Sequence, residues 1–156
     1  MIPAGRLAAV ATDWHTAGSR VVFTNGCFDL LHPGHLALLA GAAEYGDVLV
    51  VAINSDRSVR RLKGTGRPVY PQNERAETLR AIRWVDAVTV FDDDTPERAI
   101  DSIRPDVLVK GGEYGPGEIV GEDFVASYGG TTIRYPMEAG YGTTQIVDRL
   151  RNGREK

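Results

Sequence analysis

A single α/β domain, doubly wound around a mostly parallel five-stranded sheet, is the fold this sequence predicts. Three observations point there. Five short β-branched runs recur along the 156 residues, and several are apolar throughout rather than alternating, the pattern of strands covered on both faces. Helical patterns fall between them, which implies right-handed crossovers. The composition is 42% hydrophobic and 25% charged, ordinary for a globular chain, with no internal repeat, low-complexity tract or interdomain linker.

In chain order, a helix over residues 7–14 aligns Leu7, Val10 and Trp14. A buried strand over 21–24 follows. Leu36, Leu39, Ala40 and Ala43 then recur at helical spacing and fade near Gly46. After a second strand over 48–53, residues 73–82 place Ala76, Leu79 and Ile82 on one helix face. The third strand covers 87–91. Thr95-Pro96 reads as an N-cap followed by proline at the first helical position, and that helix must stop near Pro105. A fourth strand covers 107–109. A short helix around Phe124-Val125 ends at Gly129-Gly130, and a fifth strand spans 132–135. A last helix over 143–150 aligns Ile146, Val147 and Leu150. Glycine-rich stretches at 63–67, 111–117 and 140–142 read as loops. Residues 1–19 read as a helical extension and 20–151 as the core of one domain covering 1–156.

Charge and cysteine usage exclude several function classes. A net charge of -3 leaves no broad cationic surface for nucleic acid. One cysteine, Cys27, excludes an intrachain disulfide and a multi-thiolate zinc site and suits a reducing cytoplasm. No run approaches the roughly 18 apolar residues needed to cross a bilayer, and residues 1–6 lack the pattern of a cleaved leader. A cytoplasmic protein without a membrane partner is the expectation.

The chemistry concentrates where the first strand meets the next helix, in Asn25-Gly26-Cys27-Phe28-Asp29-Leu30-Leu31-His32-Pro33-Gly34-His35. A doubly wound sheet binds its ligand at that edge. Pro33 suits a helix start, and Gly34 removes a side chain that would block a phosphate. His35 falls in the first turn, where the dipole and unpaired N–H groups favour an anion. Two loop histidines that cap a helix are the plain alternative, and the pair around a glycine favours the ligand. The amides of Asn25, Gly26, Cys27 and Phe28 line the same turn. Cys27 reads as a small packing group. Asp29 either caps the helix or orients a substrate.

Farther along, Lys63 sits in a glycine-rich loop as a mobile charge able to close over a triphosphate. Arg75 contacts phosphate or forms a surface ion pair. Lys110-Gly111-Gly112-Glu113-Tyr114 leaves the fourth strand at the same edge as the histidines. Thr143 and Thr144 begin the last helix, where hydroxyls and N–H groups hold terminal phosphates or simply cap. Asp92-Asp93-Asp94 reads as a solvated loop rather than a metal cluster.

Gly26-Cys27-Phe28-Asp29-x-x-His32-x-Gly34-His35 resembles the signature of the cytidylyltransferase-like nucleotidylyltransferases, and the Thr143-Thr144 helix start resembles their second signature. Arg61-Leu62-Lys63-Gly64 with Arg67-Pro68-Val69, Asp94-Thr95-Pro96 to Ile100, and Pro105-Asp106-Val107-Leu108-Val109-Lys110-Gly111-Gly112-Glu113-Tyr114 are similar to the adenylyltransferase domain of ADP-heptose synthase. In the second signature Gly142 replaces the usual serine, so one hydroxyl is lost. The resemblance implies a Rossmann-like fold and transfer of AMP from ATP to D-glycero-D-manno-heptose 1-phosphate, with release of pyrophosphate. It implies His32, His35 and Lys63 as catalytic groups. Asn25, Gly26, Cys27, Phe28, Gly34, Lys110, Gly111, Gly112, Thr143 and Thr144 would bind nucleotide, and Asp29, Arg75 and Glu113 the acceptor. Mg²⁺ accompanies ATP, with its protein ligands unassigned. A homodimer is a family habit. A stand-alone transferase would draw its sugar 1-phosphate from a separate sugar kinase and a phosphatase. A glycerol 3-phosphate cytidylyltransferase and a non-catalytic nucleotide-binding module are the alternatives.

Overall fold

In the computed structural model, which describes residues 1–136, 142–143 and 146–147, the five β-branched runs form one sheet. The strands are β1 Val21–Gly26, β2 Val48–Asn54, β3 Ala87–Phe91, β4 Val107–Gly111 and β5 Thr131–Tyr135. Every pairing is parallel, in the order β3-β2-β1-β4-β5. The order turns back beside β1, so the carboxyl ends of β1 and β4 flank the crevice where such sheets take ligands.

Among the described residues six complete helices pack on the sheet: α1 Leu7–Thr16, α2 Pro33–Ala43, α3 Asp56–Lys63, α4 Gln72–Arg80, α5 Glu97–Ile103 and α6 Glu122–Ser127. A short 3-10 turn, Ala4–Arg6, precedes the first. Alternation along β1 assigns the two faces. Val21 and Phe23 join Leu7, Ile100, Ile103 and Val125 beneath α1, α5 and α6. Val22 joins Leu38, Leu39, Ala76 and Leu79 beneath α2 and α4. Each fully buried aliphatic side chain contributes about 1.5–3 kcal/mol.

The amino ends of the strands are closed by carboxylates. Asp47 accepts from the Arg20 N–H at 2.8 Å, Asp106 from Val21 at 2.7 Å and Asp86 from Leu49 at 2.8 Å. Asn25 and Lys110 lie at the opposite, carboxyl ends of their strands.

Several boundaries depart from the sequence reading. β1 and β4 run two residues longer, because Asn25 and Gly26 stay in register with Ala52 and Ile53, and Lys110 and Gly111 with Arg134 and Tyr135. Lys63 is not in a loop; it ends α3. Only Ser58 and Val59 of that helix are buried, too few apolar positions to register as a period. Its start is nonetheless marked, since the Ser55 hydroxyl accepts the Ser58 N–H at 3.0 Å. Thr95 does not cap α5; Pro96 holds the N-cap position, without a side-chain bond. The Asp92–Asp94 loop is ion-paired rather than merely solvated. Asp92 accepts from Ser55 and Arg57, and Asp94 from Arg61 at 2.7 Å. Of the last predicted helix, Thr143, Ile146 and Val147 have helical backbone, and the Ile146 N–H donates to Gly142 at 3.1 Å; Thr144 and residues 148–150 lie outside the described residues.

Candidate active site

The motif loop leaves β1 through two left-handed residues that are not glycine, Phe28 at φ 46° and Leu30 at φ 49°. Such positions cost of order 1–3 kcal/mol each and persist where surrounding contacts over-determine them. Here those contacts centre on Asp29, which is 1% exposed. Its carboxylate accepts the Val69 N–H at 2.9 Å and the Tyr70 N–H at 3.1 Å, and pairs with Arg67 at 2.8 Å. Its backbone carbonyl accepts the Thr143 hydroxyl at 2.6 Å.

Beside this loop, at the turning point of the strand order, lies a cavity of about 430 Å³. Asn25, Gly26 and Cys27 line it from β1, Asn54 from β2, and Lys110 from β4. Lys63 reaches it from the end of α3. Lys110 bridges the turning point, its ammonium donating to the Asn25 carbonyl and to Asn25 Oδ1, both at 3.2 Å. Tyr114, Ile119 and Val120 form an apolar wall opposite. Burial pushes the Lys110 ammonium below its usual pKa. Burial also raises the Cys27 thiol, against the opposing pull of Lys63, Arg75 and Arg67. Cys27 is therefore a protonated thiol in a cationic setting rather than a nucleophile, with its Sγ 3.8 Å from Asn54 Oδ1.

The two imidazoles stand at the start of α2. His32 is its N-cap, and Pro33 and buried Gly34 open the first turn. The rings of His32 and His35 stack with centroids 3.8 Å apart and planes 24° apart. Phe28 supports His35 at 5.1 Å, and a Cβ on Gly26 would approach the Phe28 ring to 3.3 Å. Burial lowers the pKa of both, and that of His35 falls to about 4, through burial first and the neighbouring His32 second. Neither ring lines the 430 Å³ cavity; Phe28 packs between His35 and Gly26, and Gly26 does line it.

The expected groups thus separate into three sets. Lys63, Lys110, Asn25, Gly26 and Cys27 converge on one cavity. His32, His35, Gly34, Phe28 and Thr143 assemble around the adjoining loop. The remainder lie elsewhere. Gly111 ends β4, Gly112 bends away at φ 127° with its N–H on the Tyr135 carbonyl at 3.1 Å, and Glu113 is exposed. Thr144 lies outside the described residues.

Two expectations are corrected. Asp29 neither caps α2 nor faces the cavity; its carboxylate is consumed by Val69, Tyr70 and Arg67. Arg75 makes no surface ion pair and presents no guanidinium to the cavity. It is 2% exposed and donates to the carbonyls of Tyr70 at 3.0 Å, Cys27 at 2.5 Å and Asn54 at 2.8 Å, and to Asp56 at 2.9 Å. It ties β1, β2 and α4 together beneath the site. The sequence reading also passed over Asn54, although the parallel register extends β2 to it, and over Arg134, which carries no local signal.

Comparison with known proteins bears on the family and the fold. The family described as Cytidylyltransferase-like matches residues 23–135. The Bifunctional protein HldE of Gluconobacter oxydans (strain 621H) is 50% identical over 147 residues, covering 94% of this chain and 31% of that protein. The Bifunctional protein HldE of Geotalea uraniireducens (strain Rf4) is 51% identical over 147 residues, covering 94% and 30%. The chain therefore spans under a third of the length of these curated relatives. The lipopolysaccharide core biosynthesis protein from Thermoplasma volcanium GSS1 superposes with a TM-score of 0.64 at 25% identity, over 78% of this chain and 98% of that one. Pantoate-beta-alanine ligase from Francisella tularensis shares the fold, with a TM-score of 0.59 at 13% identity over 88% and 67%.

Proposed function

This chain belongs to the cytidylyltransferase-like family, and from that membership we propose that it transfers AMP from ATP to D-glycero-D-manno-heptose 1-phosphate, giving ADP-heptose and pyrophosphate. The observation that carries the reading is the convergence of Lys63, Lys110 and the Asn25–Cys27 turn on one cavity beside the stacked histidines. Those groups suit a polyanion. The choice of ATP and heptose rests on likeness: the segments around Lys63, Thr95 and Lys110 resemble the adenylyltransferase domain of ADP-heptose synthase, and half the residues match bifunctional HldE proteins.

In this mechanism a phosphate oxygen of the sugar phosphate attacks the α-phosphorus of ATP in line. The bond from that phosphorus to the β-phosphate oxygen breaks, and pyrophosphate leaves. The nucleophile is already anionic, so no general base is needed, and catalysis rests on alignment and charge stabilisation. Lys63 and Lys110 neutralise phosphate charge. His32 and His35, whose pKa values are lowered by burial, donate ring N–H bonds to the transferring group. A bound polyanion raises their proton affinity and converts donors to cations as charge builds. Thr143 secures the motif loop from the later signature.

Mg²⁺ enters this reading with the triphosphate, where it would neutralise phosphoryl oxygens. The donor set fits that mode: Asp94 and Glu118 line the same cavity as Lys63 and Lys110, and their carboxylates would add oxygen ligands to those of phosphate and water, which Mg²⁺ takes readily. The same reading sets the enzyme in the cytoplasm as a homodimer, with a sugar kinase and a phosphatase supplying the acceptor. Among the described residues no helix is long and apolar enough to cross a membrane.

A pyrophosphate-release panel tests the proposal by crossing four nucleoside triphosphates with several sugar and polyol phosphates. ATP with the heptose 1-phosphate should turn over fastest. Preference for CTP with glycerol 3-phosphate would replace the reading with a cytidylyltransferase, and nucleotide binding without pyrophosphate release would reduce it to a binding module.

A further inference from the structure

Behind the apolar wall of the 430 Å³ cavity one charged side chain, Arg134, bonds the segment that forms it. Arg134 lies on β5 in register with Lys110 of β4, so the two project from the same face of the sheet. Lys110 enters the cavity, while Arg134 turns to the segment between β4 and α6. Its Nε donates to the Tyr114 carbonyl at 3.1 Å and its Nη2 to the Gly115 carbonyl at 3.1 Å. Nη2 also lies 2.8 Å from both carboxylate oxygens of Glu122. Glu122 accepts the Gly117 N–H at 3.1 Å in turn, and the Arg134 bond is the main reason its pKa is lowered.

Within that segment the Gly115 N–H donates to Glu118 at 2.7 Å, and Ile119 is buried in the core. Gly112, Gly117 and Gly121 all have positive φ. A second cavity, of about 480 Å³, opens behind it between α5 and α6, and Ile119 and Val120 line both cavities. The wall is therefore one residue layer thick. Its fixed points are the core residue Ile119, Gly121, where a Cβ would strike Ile100 at 2.5 Å, and the Arg134 clamp. The clamp also seats Tyr114, whose ring covers Gly112 closely enough that a Cβ there would meet it at 3.1 Å.

We propose that Arg134 is a positioning residue for the nucleotide: through Tyr114, Gly115 and Glu122 it holds the wall against which the base and sugar of the nucleoside triphosphate pack. This rests on the cavity being the nucleotide site. Arg134 touches no reacting group, so its loss weakens nucleotide binding and leaves acceptor binding and the chemical step intact. Lysine in its place can pair with Glu122 as a point charge but lacks the fork that reaches two carbonyls.

The test compares wild type, Arg134→Met and Arg134→Lys by ATP–Mg²⁺ titration calorimetry without acceptor, and by steady-state rates with each substrate varied. Arg134→Met should raise the Kd and KM for ATP about tenfold, the scale of losing charge-assisted hydrogen bonds. Arg134→Lys should raise them about threefold, while kcat and the acceptor KM stay within about twofold in both. Unchanged ATP affinity in both variants, or equal weakening of both substrates, overturns the proposal. If Arg134→Met fails to fold by circular dichroism, Arg134→Lys alone decides on the same criterion. A wild type that binds ATP without transferring AMP defeats the proposed reaction but leaves the affinity comparison decisive; a wild type that binds no nucleoside triphosphate overturns both.

Discussion

The hydroxyl of Thr143 donates a 2.6 Å hydrogen bond to the backbone carbonyl of Asp29. The two residues are 114 positions apart, and each belongs to one of the two segments that resemble family signatures. Asp29 also clasps Val69, Tyr70 and Arg67. One buried residue thus gathers two distant stretches, 67–70 and Thr143, around the histidine loop.

Thr143→Val should therefore lower kcat/KM about tenfold, because it leaves the Asp29 carbonyl without its partner at a cost of about 1–3 kcal/mol. Thr143→Ser keeps the donor and should stay near wild type. Steady-state rates for the two variants check the pair.

His35→Ala should lower kcat by about 10²–10³, the usual effect of removing one preorganised donor to a developing charge, with an unchanged circular dichroism spectrum. Near-normal turnover would remove His35 from the reaction.

The depressed His35 pKa carries a pH signature. Its folded value of about 4 lies below the unfolded value of about 6.5. Between these the unfolded chain binds more protons, so stability rises with pH through the window. The empty protein should have full stability from this group above about pH 6.5 and lose it progressively towards pH 4. Urea denaturation at pH 7 and pH 5 should show a lower midpoint at pH 5, and His35→Gln should shrink the difference.

Arg75→Met should destabilise the fold by about 3–5 kcal/mol, since it strands Asp56 and leaves buried carbonyls without donors. Arg75→Lys should recover little, because one ammonium cannot satisfy Cys27 beyond β1, Asn54 of β2, Asp56 of α3 and Tyr70 together. Thermal melts of both variants measure this.

The strands were legible because a sheet covered on both faces needs continuous apolar runs, and Val21 to Phe23 and Leu49 to Ile53 are such runs, nearly inaccessible in the fold. The α2 start was legible because Pro33 follows a residue suited to extended backbone, and His32 has φ -138°. α3 was not, since most of its residues face water and only the Ser55 cap announces it. Within the site, Lys63 and Lys110 were readable as cations near a ligand edge. The engagement of Asp29 and Arg75 was not, because nothing in a one-dimensional pattern shows whether a charge meets solvent or a neighbouring carbonyl.

Local chemistry in the chain specified the strand and helix periods, the anion-suited turn after β1 and the family likeness, all properties of residues close in sequence. Which charges remain available was decided by folding alone. The Asp29 and Arg75 side chains are spent on partners 5 to 48 residues away, most of them 19 or more, while Lys63 is left facing the cavity. Hydrogen-bond saturation depends on distance in space, and that distance exists only once the sheet has closed its order around β1.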